Sequence, residues 1–358
     1  MNNSSKQYLR ILFVGDSWKG SSARATREAL CAFPDVLIDE IDADHIVVAH
    51  RSFALRAANK LVRSLQIKEL EREVRAALQT RSADVLLVYK GDGISTRVLR
   101  QAKALGVATI NMFPDCSPHA FGRPLREAMG EYDLVISTKP FHPREWYRTY
   151  GYNNSCVCVP HGYDPTVHYR PDAPKRQELD VVMVATWRPE YHALLLDFAK
   201  EASKESWRVG IAGAGWMKQR DRFPTSWLFV PTICGSAYID FIRSGRIAIA
   251  PVQRRMVVRG ISQPGDDDSI RTYELAAAGA FFVHQRTDYV TTVYDERNEV
   301  PLWDDAMELA SLVRHYLPRE AEREAMAAAA QARAVPRYSA ASRATQILAH
   351  IRSALAAR

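Results

Sequence analysis

Residues 265–279 read GDDDSIRTYELAAAG, three carboxylates followed by a short helical stretch. Gly279 suits the end of that helix, because glycine readily adopts the left-handed conformation that closes a helix. The apolar run Phe281–His284 follows at once and predicts a buried strand. A helix that leads directly into a buried strand indicates an α/β fold, in which such units alternate around a parallel sheet.

The same stretch places charge where an anion would bind. A helix over Ser269–Ala278 would present its positive N-terminal end, with Arg271 in the first turn, to a phosphate. Glu274, one turn further on, can accept hydrogen bonds from two neighbouring hydroxyls. Recognition of a phosphate beside a diol is what binding of a nucleotide-sugar requires. The alternative is a capped surface helix with Asp268 or Ser269 as its N-cap.

The order Arg271-Thr-Tyr-Glu-Leu-Ala-Ala-Ala-Gly279 resembles the donor-site helix of GT-B glycosyltransferases. It is most similar to the "glycosyl transferases group 1" and CgeB-like branch of the retaining family 4 enzymes. The resemblance implies an α/β protein with two Rossmann-like domains, whose parallel sheets face an interdomain cleft, and a helical C-terminus. It further implies transfer of a sugar from a nucleotide-sugar to a saccharide, lipid-linked or other acceptor, with retention, in the synthesis of a cell-envelope polysaccharide.

The resemblance also assigns roles to single residues. Family 4 enzymes carry a second glutamate eight residues before the one that corresponds to Glu274, and this chain has Asp266 there. Asp266 and Glu274 are therefore the expected catalytic carboxylates. The expected donor contacts are Arg188, Gly213, Gly215, Arg271, Thr272, Tyr273 and Glu274.

Length and composition bound the class of protein. At 358 residues the chain is long enough for two domains, and its 25% of charged residues is ordinary for a globular protein. No window is apolar over the length of a membrane-spanning helix, and the N-terminus lacks the apolar core of a signal peptide. Five scattered cysteines favour reduced thiols over disulfides or a zinc site. We expect a cytoplasmic protein.

Much of the net charge of +7 lies in one segment. Arg51–Lys68 contains five basic residues and no acid, and Phe53, Ala57, Leu61 and Leu65 recur at helical spacing. Such a helix suits peripheral contact with the inner face of an anionic membrane, and the alternative is a domain helix whose charges face water. Because no known nucleic-acid-binding motif accompanies this charge, we expect no nucleic-acid partner.

Apolar strands alternate with helices in two successive series, which predicts two parallel sheets. Between the series, His161-Gly-Tyr-Asp-Pro165 resembles the family 4 domain boundary. The predicted division is an acceptor domain over 1–164, a linker over 165–179, a donor domain over 180–335 and a helix over 336–358 that packs back on the first domain. Within the donor domain, Val252–Asp268 is predicted to be a long polar loop.

Ligands of parallel α/β folds bind beyond the carboxyl ends of the strands. Two loops of the first domain follow predicted strands and contain small or polar residues, and the resemblance places them at the interdomain cleft. His119 is a candidate acid or base, since the reference pKa of histidine lies near neutrality. The expected acceptor contacts are Gly15, Asp16, Ser17, Asp115, Ser117 and His161.

Three further possibilities concern function. Asp266-Asp-Asp268 is similar to the metal-binding carboxylate motifs of other glycosyltransferases, but GT-B enzymes hold the diphosphate with helix ends and basic side chains, so we expect no metal and no cofactor. A nucleotide-sugar epimerase of the same fold would need acid–base groups at the sugar and no acceptor. A non-catalytic saccharide-binding or coat protein is the third reading, and Asp266 in place of glutamate supports it.

Overall fold

The computed structural model describes residues 8–47, 53–171 and 176–358. Arg51, at the start of the predicted membrane helix, therefore lies outside the described residues. The chain divides into two compact units. Unit 1 consists of Met1–His161, Met256–Pro264 and Ala340–Arg358, and unit 2 consists of Gly162–Arg255 and Gly265–Ser339. None of the described helices is long and apolar enough to cross a membrane.

Unit 1 is built on a parallel sheet. Its strands are β1 (Leu9–Gly15), β2 (Val36–Asp42), β3 (Val85–Tyr89), β4 (Ala108–Phe113), β5 (Leu134–Ser137) and β6 (Ser155–Cys158). They lie in the order β2-β1-β3-β4-β5-β6, and every neighbouring pair is parallel. Every residue of β4 is buried, as expected for a central strand covered on both faces.

The helices of the first series connect these strands. They are α1 (Ser22–Cys31), α2 (Ala43–Ile46), α3 (Phe53–Thr80), α4 (Thr96–Ala104), α5 (Arg123–Met129) and α6 (His142–Glu145). Helix α4 shows why they cover the sheet, because Val98, Leu99 and Ala102 lie on one face and are fully buried. The result is a pair of apolar clusters, one on each side of the sheet of unit 1.

Unit 2 contains a second six-stranded parallel sheet. Its strands are β7 (Leu179–Val184), β8 (Val209–Ala212), β9 (Leu228–Val230), β10 (Gly245–Ala250), β13 (Phe282–Gln285) and β14 (Leu302–Trp303), in the order β14-β13-β10-β7-β8-β9. The prediction of a long loop over Val252–Asp268 was wrong in part, because this segment contains two paired strands, β11 (Arg255–Val258) and β12 (Ile261–Pro264). Both strands, from Met256 onward, belong to unit 1. Their exposed Val257 and Ile261 gave too weak an alternation to reveal strands.

The helices of the second series are α7 (Pro165–His168), α8 (Pro189–Lys204), α9 (Ser236–Arg243), α10 (Arg271–Ala277), α11 (Val290–Val293), α12 (Ala306–Tyr316), α13 (Glu320–Ala334) and α14 (Ala340–Ala356). Helix α14 belongs to unit 1, where it packs against α1. Its Ala344, Ile347, Leu348 and Ile351 recur at helical spacing and are buried. The alanine-rich stretch of α13 is helical throughout.

Helix α10 is shorter and more deeply buried than the sequence indicated. It begins at Arg271, after an Ile270 that offers no side-chain cap, and every residue from Thr272 to Ala277 is buried. The alternative reading as a capped surface helix was therefore wrong. Its predicted end is confirmed, since Gly279 has a φ of +65°. A seven-residue helix has only a small dipole, so any anion here must depend on side chains.

Candidate functional site

The loops after β7 and β8 of unit 2 lie against each other. A Cβ atom at Gly213 would lie 2.0 Å from the carbonyl oxygen of Ala185, and one at Gly215 would lie 2.8 Å from Cβ of Trp187. The Nε1–H of the buried Trp216 donates to the same Ala185 oxygen over 2.7 Å. The two predicted glycines therefore sit at the carboxyl ends of adjacent strands, where only glycine fits.

Four charged side chains act electrostatically on the phenol of Tyr191, in the first turn of α8. Burial raises the pKa of Tyr191. The positive charges of Arg271 and Arg188 lower this pKa, and the negative charges of Asp266 and Glu190 raise it further. Arg188 is the residue immediately before α8, and a proline at the first helical position follows it. Three residues predicted for the donor site, Arg188, Asp266 and Arg271, thus all act on the pKa of Tyr191, and their contact with a donor stays a prediction.

Arg271 has donor capacity to spare. Its Nη2 donates to the carbonyl oxygen of Pro251 over 2.9 Å, but its buried Nε has no hydrogen-bond partner among the described residues. The Oγ of Ser269 likewise has no hydrogen-bond partner among the described residues, and this serine is only 7% exposed. Because a buried polar group without a partner is costly, these two groups are candidates for hydrogen bonds to a ligand.

The three consecutive carboxylates do not gather into one cluster. The amide of Asp266 donates to the carbonyl oxygen of Gln253 over 2.6 Å, and a Cβ at Gly265 would lie 1.9 Å from that oxygen. Asp268 instead points into the interior and accepts the hydroxyl of Tyr273 over 2.6 Å. Among the described residues, no group of three or more His, Cys, Asp or Glu side chains is placed to hold a metal ion.

Glu274 has a partner that the sequence did not reveal. Its Oε1 lies 3.1 Å from Nε2 of His168, and the two side chains are 8% and 5% exposed. The amide of Asp164 donates to Nδ1 of His168 over 3.0 Å, so a neutral imidazole carries its proton on Nε2 and donates it to the carboxylate. Tyr238 lies beside the pair, with its ring centroid 5.8 Å from that of His168. Burial raises the pKa of its phenol, and the charge of Glu274 adds to this shift.

His168 was missed because Pro165–Leu179 was interpreted as a polar linker. The signal was present in Asp164-Pro165, where Asp164 caps α7 by accepting the amide of Thr166 over 2.8 Å. A helix that begins there places residue 168 one turn after the cap.

Thr272 and Tyr273 are fully buried and make internal hydrogen bonds. The hydroxyl of Thr272 accepts from the amide of Ser269 over 3.1 Å and lies 2.8 Å from Nε2 of His284. Burial, with a smaller contribution from the charge of Arg271, lowers the pKa of His284 to about 4, so this imidazole is neutral. These contacts hold the loop before α10 in place, and a direct contact of either side chain with a donor stays a prediction.

Unit 1 has a cavity of about 230 Å³ at the carboxyl ends of β1, β3 and β4. Trp18, which is 44% exposed, lies on its wall together with Asp16, Tyr89 and Lys90. Burial raises the pKa of Asp16, and the charge of Asp44 adds to the shift. The predicted Asp16 therefore lines this cavity, where burial and the neighbouring carboxylate disfavour its charged form, while Lys90 and a side-chain hydrogen bond with Trp18 favour it.

Of the other described residues that were predicted for the first two loops, Asp115 alone lines the cavity. Gly15 ends β1, where a Cβ would lie 2.8 Å from the ring of Phe13. The hydroxyl of Ser17 donates to the carboxylate of Glu40. Asp115 lines the cavity and lies 3.4 Å from Nζ of Lys90.

Ser117 and His119 both contact the side-chain amide of Gln263. The buried Ser117 hydroxyl donates to Oε1 of Gln263 over 2.5 Å, and Nε2 of Gln263 lies 3.4 Å from Nδ1 of His119. Burial lowers the pKa of His119, as does the charge of Arg126, while a hydrogen bond with the backbone of Tyr150 opposes the shift. His119 is therefore neutral but bonded through protein groups, and its catalytic role stays a prediction.

His161 lies at the carboxyl edge of the same sheet with a buried lysine. Its Nε2 is 3.0 Å from Oγ1 of Thr138 and 3.4 Å from Nζ of Lys139, which is only 4% exposed. The charge of Lys139 also lowers the pKa of the Tyr89 phenol against the larger effect of burial. Sequence reasoning missed Lys139, because a single lysine after a strand carries no pattern.

Comparison with known proteins adds a family and a fold. Residues 188–349 match the model of a family described as glycosyl transferase-like. The chain is similar in structure to sucrose-phosphate synthase from Thermosynechococcus elongatus, with a TM-score of 0.64, 11% identity and coverage of 98% of this chain and 100% of that one. For HepE from Anabaena in complex with UDP-glucose, the TM-score is 0.66 and the identity 12%, over 97% and 100% of the two chains.

A putative UDP-N-acetylglucosamine 2-epimerase from Listeria monocytogenes is also similar, with a TM-score of 0.58 and 10% identity over 98% of each chain. No curated protein sequence matches this one. At identities this low, the structural similarity establishes the architecture of two Rossmann-like units and leaves the chemistry to the residues themselves.

Proposed function

The chain has the GT-B fold and its residues 188–349 match the glycosyl transferase-like family, and from that premise we propose that it transfers a sugar from a nucleotide-sugar to a hydroxyl-bearing acceptor. Unit 2 would hold the donor and unit 1 the acceptor. The acceptor class in this proposal is a saccharide or lipid-linked saccharide of the cell envelope. The anomeric configuration would be retained.

One observation carries the donor part of the proposal, the unpartnered Nε of Arg271 beside the unpartnered Oγ of Ser269. A diphosphate accepts hydrogen bonds from both and supplies the charge that a guanidinium binds best. Arg188, immediately before the first turn of α8, adds a second cation near the amides of a sixteen-residue helix. These groups would also stabilise the nucleoside diphosphate as it leaves, where negative charge develops.

Glu274 would orient the donor through a pair of neighbouring hydroxyls. The carboxylate is fixed by His168 and is acceptor-only when ionised, so it suits a diol. The charge of Asp266 acts on the phenol of Tyr191, as do the charges of the two arginines. Solved structures of HepE contain UDP, UDP-glucose, and UDP with glucose, which favours a uridine nucleotide as the first donor to test here.

We expect donor binding to need no metal ion, because the groups that face the diphosphate are arginines and helix amides. The decisive assay measures release of nucleoside diphosphate from a nucleotide-sugar panel with and without acceptor. Release that depends on acceptor supports transfer, whereas conversion of the donor sugar without acceptor would indicate an epimerase. Absence of any nucleotide binding would favour the non-catalytic saccharide-binding reading. Omission of magnesium should leave the rate unchanged.

Two substitutions test where the donor binds. Arg271→Ala and Arg188→Ala should each weaken UDP binding about tenfold or more, since a charge-assisted hydrogen bond contributes roughly 1.5–3 kcal/mol. Arg220→Ala is the matched control, because its exposed guanidinium contacts only Asp221 among the described residues. Titration calorimetry measures the affinities. Equal affinity in all three variants would show that the diphosphate binds elsewhere.

A product assay by NMR decides stereochemistry, and the proposal of retention fails if the new linkage has the opposite anomeric configuration.

Peripheral contact with an anionic cytoplasmic membrane through Arg51–Lys68 belongs to the same proposal, and its basis is the five basic residues of that segment. The full chain should sediment with phosphatidylglycerol vesicles at low salt and with phosphatidylcholine vesicles much less. Equal sedimentation with both would remove the electrostatic argument.

A further inference from the structure

Unit 2 has a small cavity at the amino edge of its sheet. The wall is formed by residues at or just before the starts of β7, β10 and β13, together with three residues of α13. Arg188 and Gly213, which belong to the candidate donor site, follow the carboxyl ends of β7 and β8 instead. Because the two ends of a strand lie at opposite edges of a sheet, a ligand of this cavity is not the donor.

Three arginines contribute to the wall of this cavity, and Glu324 is its one acid among the described residues. Nη1 of Arg246 lies 3.2 Å from Oδ1 of Asp180, so this charge is paired. Arg243 is 8% exposed, and its Nη1 donates to the carbonyl oxygen of Ala278 over 3.0 Å. The wall therefore has more positive than negative side chains, and the backbone holds one of its guanidiniums in place.

Arg323 is the most deeply buried of the three arginines, at 4% exposed. Its Nη1 donates to the carbonyl oxygens of Tyr316 over 2.7 Å and Leu317 over 2.5 Å. In the part of the chain that the structure describes, Nε and Nη2 of Arg323 have no acceptor, and no carboxylate oxygen lies within 4 Å of this guanidinium. Nε and Nη2 share one edge of the guanidinium plane, which is an edge that binds two oxygens of one oxyanion.

The charge of Arg323 is costly to bury in this environment. Burial lowers the pKa of its guanidinium, the charge of Glu320 opposes this shift, and the charge of Arg246 adds to it. The charge of Glu324 opposes the shift least. A buried ionic group is stabilised when it has both an opposite charge and hydrogen-bond partners. The two carbonyl oxygens satisfy one nitrogen only, and an anion in the cavity would supply what the other edge needs.

We propose that this cavity binds a single small oxyanion such as inorganic phosphate, held on the Nε–Nη2 edge of Arg323. Two parallel hydrogen bonds would fix the anion, and the positive charges of Arg243 and Arg246 would attract it. The side-chain amide of Gln177 also lines the cavity and adds a donor. The anion is not a substrate of the proposed transfer. Its binding should stabilise the folded protein, because a ligand that binds only the folded state raises the free energy of unfolding.

Titration calorimetry with inorganic phosphate tests the site in the full-length protein. Sodium chloride keeps the ionic strength constant, so that a general attraction between charges does not change during the titration. The wild-type protein and Arg271→Ala should both bind phosphate, and chloride should not replace it. Loss of phosphate binding in Arg271→Ala would place the anion at the candidate donor groups and overturn the assignment, as would the absence of binding in the wild-type protein. Neither measurement depends on sugar transfer, so failure of the proposed function would leave this result interpretable.

Arg323→Lys keeps the positive charge and removes the edge with two donors. It should weaken phosphate binding at least about tenfold. Arg333→Lys on the same helix is the matched control, because this guanidinium is paired with Glu299 over 2.6 Å, and it should leave the affinity unchanged. Equal phosphate affinity in the two variants would overturn the assignment.

Glu324→Gln tests the same site without touching the contacts of Arg323 with the backbone, and it remains informative if Arg323→Lys does not fold. Removal of this acid from the cavity wall should tighten phosphate binding by roughly threefold, because the carboxylate repels an anion. Affinity that stays the same or falls in Glu324→Gln would show that phosphate does not bind in this cavity.

Discussion

Removal of the His168 imidazole should destabilise α10 because it leaves a carboxylate buried without its donor. The Nε2–Oε1 distance to Glu274 is 3.1 Å and both side chains are more than nine-tenths buried. Loss of one partner of a buried pair costs roughly 3 kcal/mol, which corresponds to about a hundredfold change in an opening equilibrium. We therefore expect His168→Ala to speed hydrogen exchange of the α10 amides by about that factor.

A double-mutant cycle separates this effect from simple loss of packing. Glu274→Gln makes the side chain neutral, so His168→Ala should cost clearly less in that background, with a coupling energy of roughly 1–3 kcal/mol. His168→Gln keeps an N–H donor and should recover part of the protection. His192→Ala is the control, because this histidine of unit 2 contacts Trp187 instead of a carboxylate.

The assay is hydrogen exchange of the α10 peptide by mass spectrometry, with urea midpoints as a second measure. Effects of His168→Ala and Glu274→Gln that add within about 0.5 kcal/mol would refute the reasoning, since they would show that the two side chains do not interact. The same result for His192→Ala with Glu274→Gln is expected and sets the scale for an uncoupled pair.

Three further outcomes follow from the fold. Gly213→Ala should lower the urea midpoint far more than Gly106→Ala, because both have positive φ but only Gly213 would bring a Cβ within 2.0 Å of a carbonyl oxygen. Burial lowers the pKa of His284 to about 4 in the folded protein, against about 6.5 when unfolded, so the unfolded state binds the proton first and stability should fall by roughly 3 kcal/mol as pH drops from 6.5 to 4. His284→Asn should therefore flatten the pH dependence of the urea midpoint in that window. Trp216→Phe should lower the free energy of unfolding, measured in urea, by about 1–3 kcal/mol, because it removes the N–H that donates to the carbonyl oxygen of Ala185.

The two sheets could be predicted because their strands are apolar over nearly their whole length. Strands β3 and β4 are of this kind. Strands β9 and β14 could not be found the same way, since three and two residues are too short to show any period. The hairpin of β11 and β12 was hidden by exposed apolar residues beside arginines, a pattern equally typical of a loop.

The local geometry of three residues of the candidate site agrees with their sequence context, while their contact with a donor stays a prediction. Gly213 and Gly215 lie where a close backbone approach requires glycine, and Arg188 precedes a proline at a helix start. The pair of His168 with Glu274 joins residues 106 positions apart, as the difference 274 − 168 shows. No periodicity or composition encodes such a contact, because it depends on how α7 and α10 pack within unit 2.

The proposed donor contact of Glu274 requires one carboxylate to be part of the interior and also to bind a ligand. An ionised carboxylate has about four acceptor sites, and His168 uses one of them on Oε1. The remaining sites are enough for two hydroxyls of a donor. The hydrogen bond with His168 fixes the side chain before any ligand arrives, so less conformational entropy is lost on binding. Replacement of Glu274 by aspartate should therefore weaken both stability and donor binding, because the shorter side chain could not reach His168 and a diol at the same time.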